Sequence, residues 1–149
     1  MAHIRIPHEA WVLVADGGKA VIYRNQGDEA MIDLRTVETR EHKAAPARDL
    51  GTDRPGRGFG TDGRRAAMAQ TDFHDEEETR FVLDVAADLA AALGRGEFAR
   101  LVLIAPPKVL GRLRTALTPQ LADAVIGEIV KDLAHREVEV VEQHLRAAA

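Results

Sequence analysis

Two five-residue runs, Trp11-Val-Leu-Val-Ala15 and Leu101-Val-Leu-Ile-Ala105, carry no polar side chain. Runs this short and this apolar are too brief for helices and lack the alternation of a half-solvated strand. They read as strands buried on both faces. Asp16-Gly17-Gly18 follows the first run, and glycines there suit a tight hairpin turn. Lys19-Ala-Val-Ile-Tyr23 returns as a second strand, and Asn25 to Asp28 makes another turn. A third strand is expected over Ala30–Arg40. Its Met31, Leu34 and Val37 alternate imperfectly among polar residues, as on a sheet edge. Together these make an antiparallel meander.

Beyond the meander the period changes. Phe81, Val82, Val85, Ala86, Leu89 and Leu93 form one helical stripe, which predicts a helix over Asp72–Leu93. Thr71 or Asp72 can cap it, acids at 75–78 suit its N-terminal dipole, and Gly94 and Gly96 end it. After the apolar strand, Pro106-Pro107 opens a second helix with Leu110, Leu113, Ala116 and Leu117 inward. Pro119–Ala124 reads as a helical turn, Val125–Val130 as a fifth strand, and Glu137–Arg146 as a closing helix with Val138, Val141 and Leu145 on one face. The order βββ–loop–αβαβα predicts an α/β fold: a mixed sheet of about five strands, a meander joined to parallel strands, with helices packed on it. By analogy with ribonuclease-H-like folds, the expected strand order is 3-2-1-4-5. Residues 1–149 are expected to form one domain.

Residues 41–70, between meander and helix, show no sustained period and are read as a long basic, glycine-rich loop. Gly58-x-Gly60-x-x-Gly63 matches a dinucleotide-binding string, but no strand leads directly into it. A better fit is phosphate contact by Arg54, Arg57, Arg64 and Arg65, with Gly58, Gly60 and Gly63 letting the backbone approach closely. The bland alternative is a solvated connection. The net charge of −4 excludes a uniformly basic nucleic-acid binder but not this local patch.

Other residues are candidates for other chemistry. His74 and Glu78 stand one turn apart among Asp72 and Asp75, a partial metal-ligand set that helix capping explains equally well. Asp16 and Asp132 follow strands, where a two-metal nuclease would place carboxylates; local turn chemistry also favours Asp at 16. Asp132 and His135 can form an orienting pair for proton transfer. The chain contains neither cysteine nor serine. Disulfides, thiolate metal sites and the commonest nucleophiles are thereby excluded. No bound metal and no cofactor are expected. No apolar run approaches the roughly 20 residues that cross a bilayer, and Met1–Pro7 lacks the apolar core of a secretory signal. The expectation is a soluble, cytoplasmic protein.

Five segments in order carry a family resemblance: Trp11-Val-Leu-Val-Ala-Asp-Gly17, Asp53-Arg-Pro-Gly-Arg57, Thr71-Asp72 leading to Glu78-x-Arg80-Phe81, Leu101-Val-Leu-Ile-Ala-Pro-Pro107, and Lys131-Asp132-Leu133-x-His135. The chain resembles the bacterial host-attachment proteins. That family is similar to the central domain of archaeal and eukaryotic peptide-chain release factors, a ribonuclease-H-like domain. In those factors the loop ahead of the first helix bears a Gly-Gly-Gln motif that promotes peptidyl-tRNA hydrolysis. Here Gly56–Gln70 occupies that place without such a motif. The resemblance therefore implies a non-catalytic or weakly catalytic domain that meets RNA, tRNA or the ribosome through Arg54–Arg65. Two rival readings stay open. One is a metal-dependent nuclease or hydrolase. The other is an interaction module for attachment that pairs with a second copy through the apolar face of the C-terminal helix.

Overall fold

A computed structural model describes the backbone of residues 4–41 and 63–148, and their side chains except those of 63–74. Five strands, β1 (Trp11–Ala15), β2 (Lys19–Asn25), β3 (Leu34–Glu41), β4 (Leu101–Ala105) and β5 (Val125–Val130), form one sheet in the order β3-β2-β1-β4-β5. The first three are antiparallel neighbours, while β4 and β5 run parallel to β1. This is the expected strand order. Four helices are described: α1 (Gly63–Gly94), α2 (Pro107–Ala116), α3 (Pro119–Ala124) and α4 (Val138–Ala148).

The two apolar runs sit centrally, and their alternate side chains enter two separate cores. Trp11, Leu13, Ala15, Leu101, Leu103 and Ala105 face one side, against Phe81, Val85 and Leu89 of α1, Leu110 and Leu113 of α2 and Leu121 of α3. Trp11 stacks on Phe98 there, with ring centroids 4.5 Å apart. Val12, Val14, Val102 and Ile104 face the other side, against Val141 and Leu145 of α4. Burial at 0–5% across both runs follows from cover on both faces.

Ile4 and Ile6, unremarkable in the sequence, complete the second core. The N-terminal stretch is tied down by Ile4 N donating to Ala148 O at 3.1 Å. The buried Asn25 holds it as well. Its Nδ2 donates to the carbonyls of Ile6 (2.9 Å) and Asp28 (3.2 Å), and its Oδ1 accepts from the backbone N–H of Gly27 and Asp33, both at 3.0 Å. All its hydrogen-bonding capacity is met without solvent, which makes its complete burial tolerable.

Three expectations are corrected. The third strand begins at Leu34, not Ala30, because Asp28 Oδ1 accepts from the backbone N–H of Ala30 and Met31 and folds that stretch into a turn. Met31 is accordingly 73% exposed. Val37 has no partner on β2, where Tyr23 pairs with Thr36 and Ile22 with Glu38, so the edge strand carries a bulge. The first helix begins at Gly63 rather than Asp72, which moves 63–70 out of the loop. Arg-Arg-Ala-Ala-Met-Ala-Gln, residues 64–70, are all good helix formers, a propensity outweighed in the sequence by the nearby Gly and Pro. Lastly, the apolar face of the C-terminal helix lies inside the second core, so it offers no surface to a second copy.

The C-terminus of α1 ends as predicted. Glu97 N donates to Ala92 O and Gly96 N to Leu93 O, both at 3.0 Å, while Gly96 adopts φ +77°. This is the paired cap in which a glycine takes the left-handed conformation.

Candidate functional site

Strands β1, β4 and β5 all end at the same edge of the sheet, the edge at which open α/β sheets take ligands. Asp16 follows β1 there. Its Oδ1 accepts from the backbone N–H of Gly18 (2.8 Å) and Lys19 (2.7 Å), closing the turn that begins the hairpin. Its Oδ2 lies 2.9 Å from His135 Nε2. The histidine comes from the turn after β5, where Leu133 and Ala134 are buried in the second core and anchor the backbone. Asp16 is 22% exposed and His135 66%, so the carboxylate is seated while the imidazole is open to solvent.

A second polar group adjoins this pair. Glu78 of α1 packs against the Cα of Gly17, and a Cβ there would stand 2.6 Å from Glu78 Cδ. A side chain at 17 would make the Glu78 carboxylate shift from this position. Glu78 meets Arg112 of α2 at 3.3 Å, Arg112 reaches Asp75 at 3.5 Å, and Asp75 meets Lys108 at 3.1 Å. The hydrogen bond from Lys108 and its charge, with help from Arg112, hold the Asp75 carboxyl below its ordinary 3.8. These ion pairs tie α1 to α2 at the ligand edge.

The sequence candidates are thus redistributed. His135 pairs with Asp16 and not with Asp132, which stands exposed after β5. The acids at 75–78 lie well inside α1 and not in its first turn, so Asp75 and Glu78 serve the contact with α2 instead of the dipole. Glu78 turns to Arg112, and the side chain of His74 lies outside the described residues. Among the described residues no group of three or more His, Cys, Asp or Glu is arranged to hold a metal ion. Arg54, Arg57, Gly58 and Gly60 lie outside the described residues. Gly63, Arg64 and Arg65 fall in the first turn of α1. No helix of the described residues is long and apolar enough to cross a membrane. Lys108 and Arg112 were missed by sequence reasoning. The signal was present as two cations at i,i+4 on α2, matching two acids at i,i+3 on α1, but only the packing shows that the faces meet.

A family model described as bacterial archaeo-eukaryotic release factor family 12 matches residues 9–145. The chain belongs to that family. It is a release-factor-like α/β domain, as its motifs suggested. Among solved structures, an archaeal translation termination factor, aRF1, matches this family member with a TM-score of 0.47 and 13% identity, over 93% of this chain and 37% of the other. A second structure, described as an archaeal protein, gives 0.46 and 14%, over 93% and 36%. The family member thus spans little more than a third of either. No curated protein matches it.

Proposed function

We propose that this release-factor-family domain acts in translation, as a single unit over residues 1–149, by binding tRNA or ribosomal RNA through its basic segment. The observation that carries the reading is the pairing of Lys19 with Glu41. It brings the last residue of β3 beside the Asp16 turn, so the chain enters the basic segment at the ligand edge of the sheet. Arg54, Arg57, Arg64 and Arg65 then supply the positive charge that phosphate contact requires, with Gly58, Gly60 and Gly63 among them. The Gly-Gly-Gln of release factors is not in this segment, so binding does not depend on release-type catalysis. The attachment phenotype of the proteins it resembles would follow indirectly, through translation in the cytoplasm.

The test is tRNA binding across a salt series, with co-sedimentation on ribosomes. Affinity should fall steeply with salt as phosphate-bound counterions are released. Changing Arg57, Arg64 and Arg65 together to Ala should flatten that slope. Undiminished binding by the triple variant would remove the segment from the interface.

A further inference from the structure

The Asp16–His135 pair has the construction of a positioned base, and the activity proposed above does not use it. Asp16 is fixed by two backbone donors on one oxygen, and its other oxygen lies 2.9 Å from His135 Nε2. A carboxylate so placed favours the ring tautomer with its hydrogen on Nε2, and in that tautomer the lone pair is on Nδ1. The ring is 66% exposed, so that lone pair can be reached. Burial of Leu133 and Ala134 keeps the turn in place. Residues 119 positions apart therefore meet at the one edge where parallel strands end together.

What such a base can act on follows from the composition. A histidine–aspartate pair most often activates a serine or cysteine, and this chain has none. The nucleophile then has to arrive with the substrate. RNA brings one in each 2′-hydroxyl. Exposed Lys131, directly after β5, and Lys19, whose backbone N–H donates to Asp16, lie close along the chain to the two members of the pair and carry charge suited to a phosphodiester.

We propose that His135, positioned by Asp16, is the general base of a metal-independent RNA transesterification. This inference rests on the RNA-binding reading above. His135 Nδ1 takes the proton of a 2′-hydroxyl, O2′ bonds to the adjacent phosphorus, and the P–O5′ bond breaks. The departing 5′-oxygen takes a proton from solvent water, and the hydroxide left behind is neutralised by the proton on His135. The products are a 2′,3′-cyclic phosphate and a 5′-hydroxyl. His135 is the catalytic residue and Asp16 a positioning residue.

The test uses the full chain, a fluorescent single-stranded RNA oligonucleotide, and excess chelator. Cleavage is expected to yield cyclic-phosphate ends, and the 2′-O-methyl oligonucleotide should bind without being cut. His135→Ala should lower kcat by about 100-fold or more, with RNA affinity and circular dichroism unchanged, and added imidazole should restore part of the rate. Asp16→Asn keeps the turn acceptor but reverses the ring tautomer. It should lower kcat with KM unchanged. RNA bound normally but left intact, cleavage that persists in His135→Ala, or cleavage that needs added magnesium or manganese would each overturn the dyad while leaving RNA binding standing. Absence of salt-sensitive RNA binding would overturn the binding reading, and the dyad assignment with it.

Discussion

At the scale of single residues, Asn25 carries more of the fold than its place in a turn suggests. It joins the N-terminal stretch, the end of β2 and the turn leading to β3 through one amide. Asn25→Ala strands the N–H groups of Gly27 and Asp33 and the carbonyl of Ile6. The expected loss is about 2–4 kcal/mol, read from the urea midpoint. Asn25→Asp keeps the acceptor but sets a carboxylate oxygen against two carbonyls, and should cost a similar amount. The two glycines that close α1 offer an internal contrast. Neither would crowd a Cβ, since nothing lies within 4 Å of that position at Gly94 or Gly96, but only Gly96 has positive φ. Gly96→Ala should therefore destabilise by about 1 kcal/mol. Gly94→Ala should be neutral or gain up to about 1 kcal/mol. Thermal melts of the two variants should move in opposite directions or differ by several degrees.

At the scale of elements, the α1–α2 contact is electrostatic at the ligand edge and apolar below it. Asp75 has its carboxyl depressed by Lys108 and Arg112. A depressed carboxylate contributes stability above its ordinary pKa and loses it as pH falls through the lowered value. Asp75→Asn should therefore lower the melting temperature at neutral pH, and the gap to the parent should close as pH drops below 3.8. High salt should also narrow it, since the pair is exposed. A gap that persists at low pH would mean that Asp75 acts through packing. The start of α1 belongs to this scale too. The apolar stripe from Phe81 onward was legible because deep burial enforces its period. The turns before it present no such stripe, so their helical state was hidden among glycines and prolines.

At the scale of the whole molecule, one sheet separates two cores whose members do not mix. Leu89 belongs to one and Leu145 to the other, both 0–1% exposed. Each Leu→Ala change should cost about 2–5 kcal/mol. The double variant should be additive within about 0.5 kcal/mol, because no side chain is shared. Unfolding should nonetheless remain one transition, since β1 and β4 contribute to both cores. A biphasic denaturation curve would show that the faces unfold separately.

The meander and the two later strands could be read from local pattern, whereas their order in the sheet came by analogy with ribonuclease-H-like folds. Trp11–Ala15 and Leu101–Ala105 had to be central because nothing polar interrupts them, and Asp16-Gly17-Gly18 had to turn because its residues favour it. The family followed from motifs spread along the chain. Side-chain partnership is different. His135 had Asp132 three residues away and Asp16 at the far end of the sequence, and the distant carboxylate is the one it meets. Glu78 had a helix start to serve by sequence and an arginine on another helix by structure. Periodicity is imposed locally by which face meets the core, so a sequence displays it. Which polar groups meet is set by where separate elements dock, and that depends on the packing of the whole chain.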